Sequence, residues 1–323
     1  MSKMSTEVRH TLNGATMGTR WSAIFLGPAG MDLRPVEAAL QAAVDRVDAQ
    51  MSPWKPDSDV TRLNRAAVGI WQTIPEELTR VLRAALRIGA QSNGLFDIGV
   101  GDLVSAWGFG PRGSVPDAGL ITAQIGRRRR AAHEFVELDA ANRRVRRQAP
   151  EALDLCAIAK GFAVDEMMQV MVAQGFSDVL VSIDGELSAR GRRPDGTPWA
   201  VAVERPDHER REPLGVLPLA DRAVATSGDY RHWVTVGRAK LSHVMDPRLG
   251  GPARNRVASV SVLHSSCMEA DAWATVLMVS GEDTGPALAR ERGLEALFLL
   301  RDGIEIRPYG VGPAFERAPA LAI

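Results

Sequence analysis

Cysteine is scarce in this chain of 323 residues: only Cys156 and Cys267 occur. Two thiols so far apart in sequence make no metal knuckle and no disulfide framework, the pattern of a reducing compartment. Aromatic residues are few as well, at 5% of the chain. An excess of either charge is missing, since 39 basic side chains meet 39 acidic ones. That balance argues against a nucleic-acid or anionic-membrane partner. Long apolar runs are missing too. The longest, around Ala272 to Val279, is less than half of the ~18 residues that a membrane span needs. The start, MSKMSTEVRHTLNG, has no apolar stretch before a small-residue cleavage site. The expectation is a cytoplasmic protein with no signal peptide, no lipobox and no transmembrane segment. No solenoid-type repeat and no low-complexity linker is visible.

What is present suffices for a real core: 45% of the residues are hydrophobic and 24% charged. Residues 1–14 read as an N-terminal extension and 15–323 as one unit with room for two lobes. Val36, Leu40, Val44, Val47 and Met51 form a helical stripe between Pro35 and Met51. Leu78, Val81, Leu82, Ala85 and Leu86 form another between Pro75 and Gln91, with Thr73 and Glu76 at capping-box spacing. A third helix is predicted from Lys160 to about Gln174, ended by Gly175. Short strands are predicted at Val179 to Ile183, Trp199 to Val203, and Val257 to Leu263, the last alternating serine with valine as a half-buried strand would. Cys267 to Ser280 reads as a buried helix and Leu294 to Leu300 as a final strand. Helices and strands do not alternate regularly. The prediction is therefore α+β, with T-fold-like mixed or antiparallel sheets flanked by helices.

Two arginine clusters, Arg127 to Arg130 and Arg143, Arg144, Arg146 and Arg147, flank the strand-like Glu134 to Leu138. Without interleaved aromatics or net positive charge, they read as a solvated hairpin edge rather than a polyanion site. Gly108, Gly110 and Gly113 match a dinucleotide fingerprint on paper. The Ser114-Val115-Pro116-Asp117 that follows is turn chemistry, so the match is rejected. The six histidines are scattered, and no zinc site is legible.

Three segments carry possible chemistry. Asp271 and Thr275 are four apart on a helix and so share a face. A carboxylate beside a hydroxyl suits a hard cation such as Mg²⁺. A helix cap, or a buried Asp paired with an Arg, remains the other reading. In Ser242 to Gly250, Pro247 and the following Gly250 and Gly251 make a rigid turn around His243 and Asp246. There a histidine could take a proton from a hydroxyl, or be an ordinary satisfied side chain. In Asp154 to Gly161, small residues lead into a helix start with Lys160, which suits a phosphate; a well-packed helix entry with a surface lysine is the other reading.

Together, seven segments in order resemble one family, the ApbE-like FAD:protein FMN transferases, from about Thr16 to Leu300. Met17-Gly18-Thr19 resembles its MGT, and Met51 to Asn64 its MSxYxPxSExSxxN. Gly94-Leu95-Phe96-Asp97 with Trp107 to Gly110 is similar to GxFDxT and WGFG. Asp154 to Asp165 resembles DLGGIAKGYAVD. Thr226 to Tyr230, His243 to Gly250 (HIIDPRTG), and Ala270-Asp271 with Thr275 complete the series. The resemblance implies Mg²⁺ held by Asp271, Thr275 and the carbonyl of Ala157. It implies FAD contacts from Met17, Trp54, Leu95, Phe96, Asp97, Asp154, Lys160 and Met245, and a catalytic His243. The implied reaction moves FMN from FAD to a threonine hydroxyl of a target flavoprotein and releases AMP. An FAD pyrophosphatase and a non-catalytic FAD carrier are the alternatives. The chain departs from the pattern at Cys156-Ala157 and Asp184, where the family has glycines, and at Leu249, where it has threonine. Ala274 stands where some members carry a second acid. Asp184 is expected either to repel a phosphate or to replace that acid.

Overall fold

The computed structural model describes residues 7–316 except 112, 114, 125, 126, 128, 237 and 238. Strands β1 (Glu7–Thr16) and β2 (Thr19–Pro28) form a hairpin. Residues 7–14, set apart as an extension in the sequence, thus belong to the sheet. Helices α1 (Arg34–Met51) and α2 (Asp59–Arg65) follow. Next come β3 (Gln72–Thr73), α3 (Glu76–Gln91), a 3-10 turn (Ile98–Val100), α4 (Gly101–Ala106) and α5 (Ala118–Gln124). The short α6 (Ala132–Phe135) leads into the hairpin β4 (Val136–Asp139) and β5 (Arg144–Arg147).

Helix α7 (Cys156–Ala173) precedes the hairpin β6 (Val179–Ile183) and β7 (Glu186–Arg190). The ribbon β8 (Trp199–Glu204) and β9 (Pro213–Leu219) comes before β10 (Arg222–Gly228). Two small hairpins follow: β11 (Trp233–Val236) with β12 (Ala239–Ser242), and β13 (Met245–Asp246) with β14 (Gly251–Pro252). The chain closes with β15 (Val257–His264), α8 (Cys267–Glu291), β16 (Glu295–Asp302), β17 (Glu305–Val311) and α9 (Pro313–Glu316).

Eight strands form one sheet in the order β1-β2-β6-β7-β10-β15-β16-β17, and every neighbouring pair is antiparallel. The α+β expectation holds. The main core lies between this sheet and α1, α3, α7 and α8. A second core, with Trp199, Leu217, Leu297 and Phe315, lies under the β8–β9 ribbon and α9. No helix among the described residues is long and apolar enough to cross a membrane.

Several expectations need correction. Strand β15 is not half-buried. Its valines join the helical core, and Ser259 and Ser261 are buried as well because the ribbon side is also covered. The capping box does not form. Thr73 pairs with Arg144 across β3–β5, and Pro75 occupies the cap position with no side-chain bond. Helix α7 starts four residues earlier than expected, at Cys156. Strand β16 is not the last; β17 follows it. Only the second arginine cluster edges a hairpin: Arg144 pairs with Asp139 and Arg146 with Glu137, and both cover Trp71. Arg128 lies outside the described residues; among the described members, two are not solvated. Arg147 is buried and binds the carbonyls of Leu63, Asn64, Ala66, Pro150 and Glu151. The Arg129 side chain is buried against Asp102.

Candidate functional site

The site begins where α7 crosses α8. Gly161 makes that crossing possible: a Cβ there would collide with the Cys267 carbonyl and lie 2.8 Å from the Asp271 Cβ. One turn further along α7, Asp165 caps the start of α8. Its carboxylate accepts from Ser266 Oγ at 2.7 Å and from the amides of Cys267 and Met268 at 2.8 and 3.0 Å. A carboxylate at a helix N-terminus satisfies amides that have no partner within the helix. This clamp fixes the register of α8, so Asp271 comes to rest on the first turns of α7.

Asp271 Oδ2 accepts from the Gly161 amide at 3.0 Å. The helical repeat would assign that N–H to the carbonyl of Ala157. Burial pushes the Asp271 carboxyl up to about 6, against the opposing pull of Lys160 and the Gly161 amide. Thr275, one turn on, has its hydroxyl 3.1 Å from that of Ser227 on β10. The three donors inferred for a metal are thus a carboxylate, a hydroxyl and a carbonyl, Asp271, Thr275 and Ala157. That hard-oxygen set suits Mg²⁺ better than a softer ion. Among the described residues no three His, Cys, Asp or Glu side chains cluster as a metal site, so a site here would rest on a single carboxylate. Ala274 is fully buried in the main core, so the second acid is missing from a position closed to solvent.

Lys160 faces the same corner. Its ammonium lies 2.8 Å from both carboxylate oxygens of Glu186, a buried residue at the start of β7. Burial opposes charge on Lys160, but Glu186 and Asp271 outweigh it and hold the ammonium protonated. Asp184 sits just before, exposed in the β6–β7 turn with φ +52. Asp184, the first residue of this two-residue turn, supplies the left-handed conformation that the hairpin requires there.

The second half of the site lies on loops. His243 Nδ1 is 3.2 Å from the His232 carbonyl, and its ring stands edge-on to His232 and Phe109. A carbonyl only accepts, so Nδ1 carries the proton and Nε2 is left basic. Burial, then the His232 ring and the Lys160 charge, lower the His243 pKa to about 4, against the His232 carbonyl, which favours the charged form. Next to it an open cleft of about 440 Å³ is lined by Gly108, Phe109 and Arg231 to Thr235. Met245 is buried against Leu103 and Trp107. Asp246 is no free acid, because Arg248 binds both of its oxygens at 3.0 and 2.7 Å. Leu249 is exposed on the turn that follows.

The remaining flavin candidates are spread out. Met17 occupies the β1–β2 turn with φ +43. Trp54 is 57% exposed between α1 and α2. Phe96 is buried in the main core, and Leu95 packs against it. Asp97 is buried and structural: one oxygen accepts from the amides of Gly99 and Ala132, each at 2.8 Å. Asp154 accepts from the Cys156 amide at 2.8 Å, and its own amide donates to Ile98, which joins this loop to the Phe96 segment. Burial, aided by Asp154, raises the Cys156 thiol well above its usual value, so it is no nucleophile here.

Sequence reasoning missed Gly161, Asp165 and Glu186 as site builders, and Ser227 as the partner of Thr275. Glu186 carried a signal: it is the one acid between the Asp-Gly turn and the Leu-Ser-Ala run of its strand.

The profile of the ApbE family matches residues 17–298. An FAD:protein FMN transferase from Vibrio cholerae is 34% identical over 92% of this chain and 89% of its own length. A solved flavin transferase ApbE from Vibrio cholerae superposes with a TM-score of 0.83 at 31% identity, covering 96% of this chain and 99% of the other. The apo flavinyl transferase ApbE from Pseudomonas stutzeri gives 0.85 at 30% identity, with both chains fully covered.

Proposed function

Because the chain belongs to the ApbE family, we propose that it is an FAD:protein FMN transferase whose reaction needs Mg²⁺, modifies a threonine hydroxyl of a target flavoprotein and releases AMP. The observation that carries this reading is the α7–α8 crossing. It gathers Ala157, Lys160, Asp271 and Thr275 at one corner. Phosphoryl transfer is mostly charge neutralisation and in-line positioning, and this corner is equipped for both.

Asp271, Thr275 and the Ala157 carbonyl would hold Mg²⁺, which would supply charge neutralisation for the pyrophosphate. Lys160 adds a cation for the phosphate oxygens. His243 Nε2 takes the proton of the threonine hydroxyl. The threonine oxygen forms a bond to the FMN-side phosphorus, the P–O bond of the pyrophosphate breaks, and AMP leaves with the electron pair. Met17, Trp54, Leu95, Phe96 and Met245 line the flavin and adenine positions. Trp54 offers an exposed ring for stacking. Asp97 and Asp154 shape the flavin loop through backbone amides. We take residues 15–323 as the catalytic unit, with β1 completing its sheet.

The test incubates the protein with FAD and Mg²⁺, with and without a flavoprotein domain that carries an acceptor threonine. AMP and a fluorescent acceptor band are expected only when the acceptor is present. AMP without acceptor would instead mark an FAD pyrophosphatase. FAD binding without any AMP would mark a carrier.

A further inference from the structure

We infer that Glu186 is a positioning residue for Lys160: it seats the ammonium with two of its three N–H donors engaged and leaves the third for the pyrophosphate of FAD. This rests on the transferase reading above. The geometry is direct. Glu186 opens β7 between Ile183 of β6 and Ala225 of β10, both fully buried. Its own residue is 1% exposed. Both carboxylate oxygens lie 2.8 Å from Lys160 Nζ. The Lys160 side chain, by contrast, keeps 29% exposure.

A lysine ammonium has three donors and turns freely about its last bond. A carboxylate that takes two of them fixes the direction of the third. Lysine on a flexible four-carbon stem otherwise samples many poses, and ordering it on binding costs affinity. Seating it in advance removes that cost. Stability does not explain the pair. Replacing a buried ion pair with apolar residues is often neutral or stabilising, because two charges must be desolvated. Glu186 therefore acts through Lys160 and touches neither FAD nor the acceptor.

The test compares Glu186→Gln and Glu186→Asp, each in the wild-type and in the Lys160→Met background. FAD affinity is read from flavin fluorescence, turnover from AMP release with an acceptor domain, and folding from the melting transition. In the wild-type background Glu186→Gln should lower turnover roughly 30-fold, as loss of one member of a buried charge pair does. It should weaken FAD binding in the same direction. Glu186→Asp, which retracts the carboxylate by one methylene, should fall in between. In the Lys160→Met background both changes should be nearly silent, within about twofold, because coupled residues are non-additive. An equal loss in both backgrounds would overturn the inference, and so would a folded Glu186→Gln that keeps wild-type turnover and affinity. Collapse of the melting transition in both variants would also overturn it, by making the pair a requirement of the fold. If the wild type binds FAD but releases no AMP, the transferase reading fails. The positioning role is then judged on FAD affinity alone, by the same non-additivity.

Discussion

The Asp271 corner lies on two long helices clamped to the central strands. His243 lies among hairpins of two and four residues beside an open cleft. The first region is dense: Gly161 is needed because no Cβ fits between α7 and α8, and Asp165 pins α8 from the neighbouring helix. The second is held by a histidine against a backbone carbonyl and by rings meeting edge to edge. Charge neutralisation needs donors fixed before the reaction, so it gains most from a rigid core. A protein acceptor has to enter and leave, which suits a looser wall.

The comparison can be broken at its strongest point. Asp271→Ala should bring FAD cleavage to background while the protein still melts cooperatively, since the only carboxylate of the metal set is gone. Cleavage by this variant at the wild-type rate would remove the metal corner from the mechanism. His243→Ala should cost about 10²–10⁴-fold in transfer, the usual range for a lost general base. Mg²⁺-dependent FAD binding should survive in it.

The pH profile sharpens the same contrast. The basic form of His243 is the neutral ring, and its pKa in the free protein is lowered to about 4. At saturating Mg²⁺, which keeps Asp271 ionised, kcat/KM should stay flat as pH falls through 6.5, the value of ordinary histidine. It should drop only near the lowered value. An acid limb near 6.5 that His243→Ala abolishes would contradict the lowered pKa of the ring.

Gly161→Ala tests the crossing itself. The added methyl should cost about 1–3 kcal/mol of stability through overpacking, visible as a lower Tm, with Mg²⁺ affinity falling in parallel. Trp54→Ala should have the smallest effect, about 1 kcal/mol in FAD affinity, or roughly fivefold, from a lost aromatic stack. Unchanged FAD binding in that variant would remove Trp54 from the flavin site.

Much of the rigid half was legible in sequence, because helical periodicity marks what is buried. The stripe from Val36 to Met51 appears as α1, and Leu78 to Leu86 lies within α3. The i, i+4 spacing of Asp271 and Thr275 placed both on one helical face. What sequence could not show is contact between distant segments. The Gly161 amide reaches across 110 residues to Asp271, and Asp165 reaches more than 100 to cap α8. The serine–valine alternation of β15 misled for a related reason. Alternation reports two different faces, and here both are covered. In the loop half, motif position alone marks Asp246 for a rigid turn and Asp97 for a flavin contact. Their carboxylates are spent on Arg248 and on backbone amides, which no motif spacing reveals.

The most direct measurement is FAD affinity, by flavin fluorescence with and without Mg²⁺, of Asp271→Ala and His243→Ala. If charge neutralisation belongs to the α7–α8 corner and proton transfer to the loops, Asp271→Ala loses the strengthening by Mg²⁺ and His243→Ala keeps it within about threefold of wild type. If both variants lose it alike, or Asp271→Ala retains it, that division of labour is wrong.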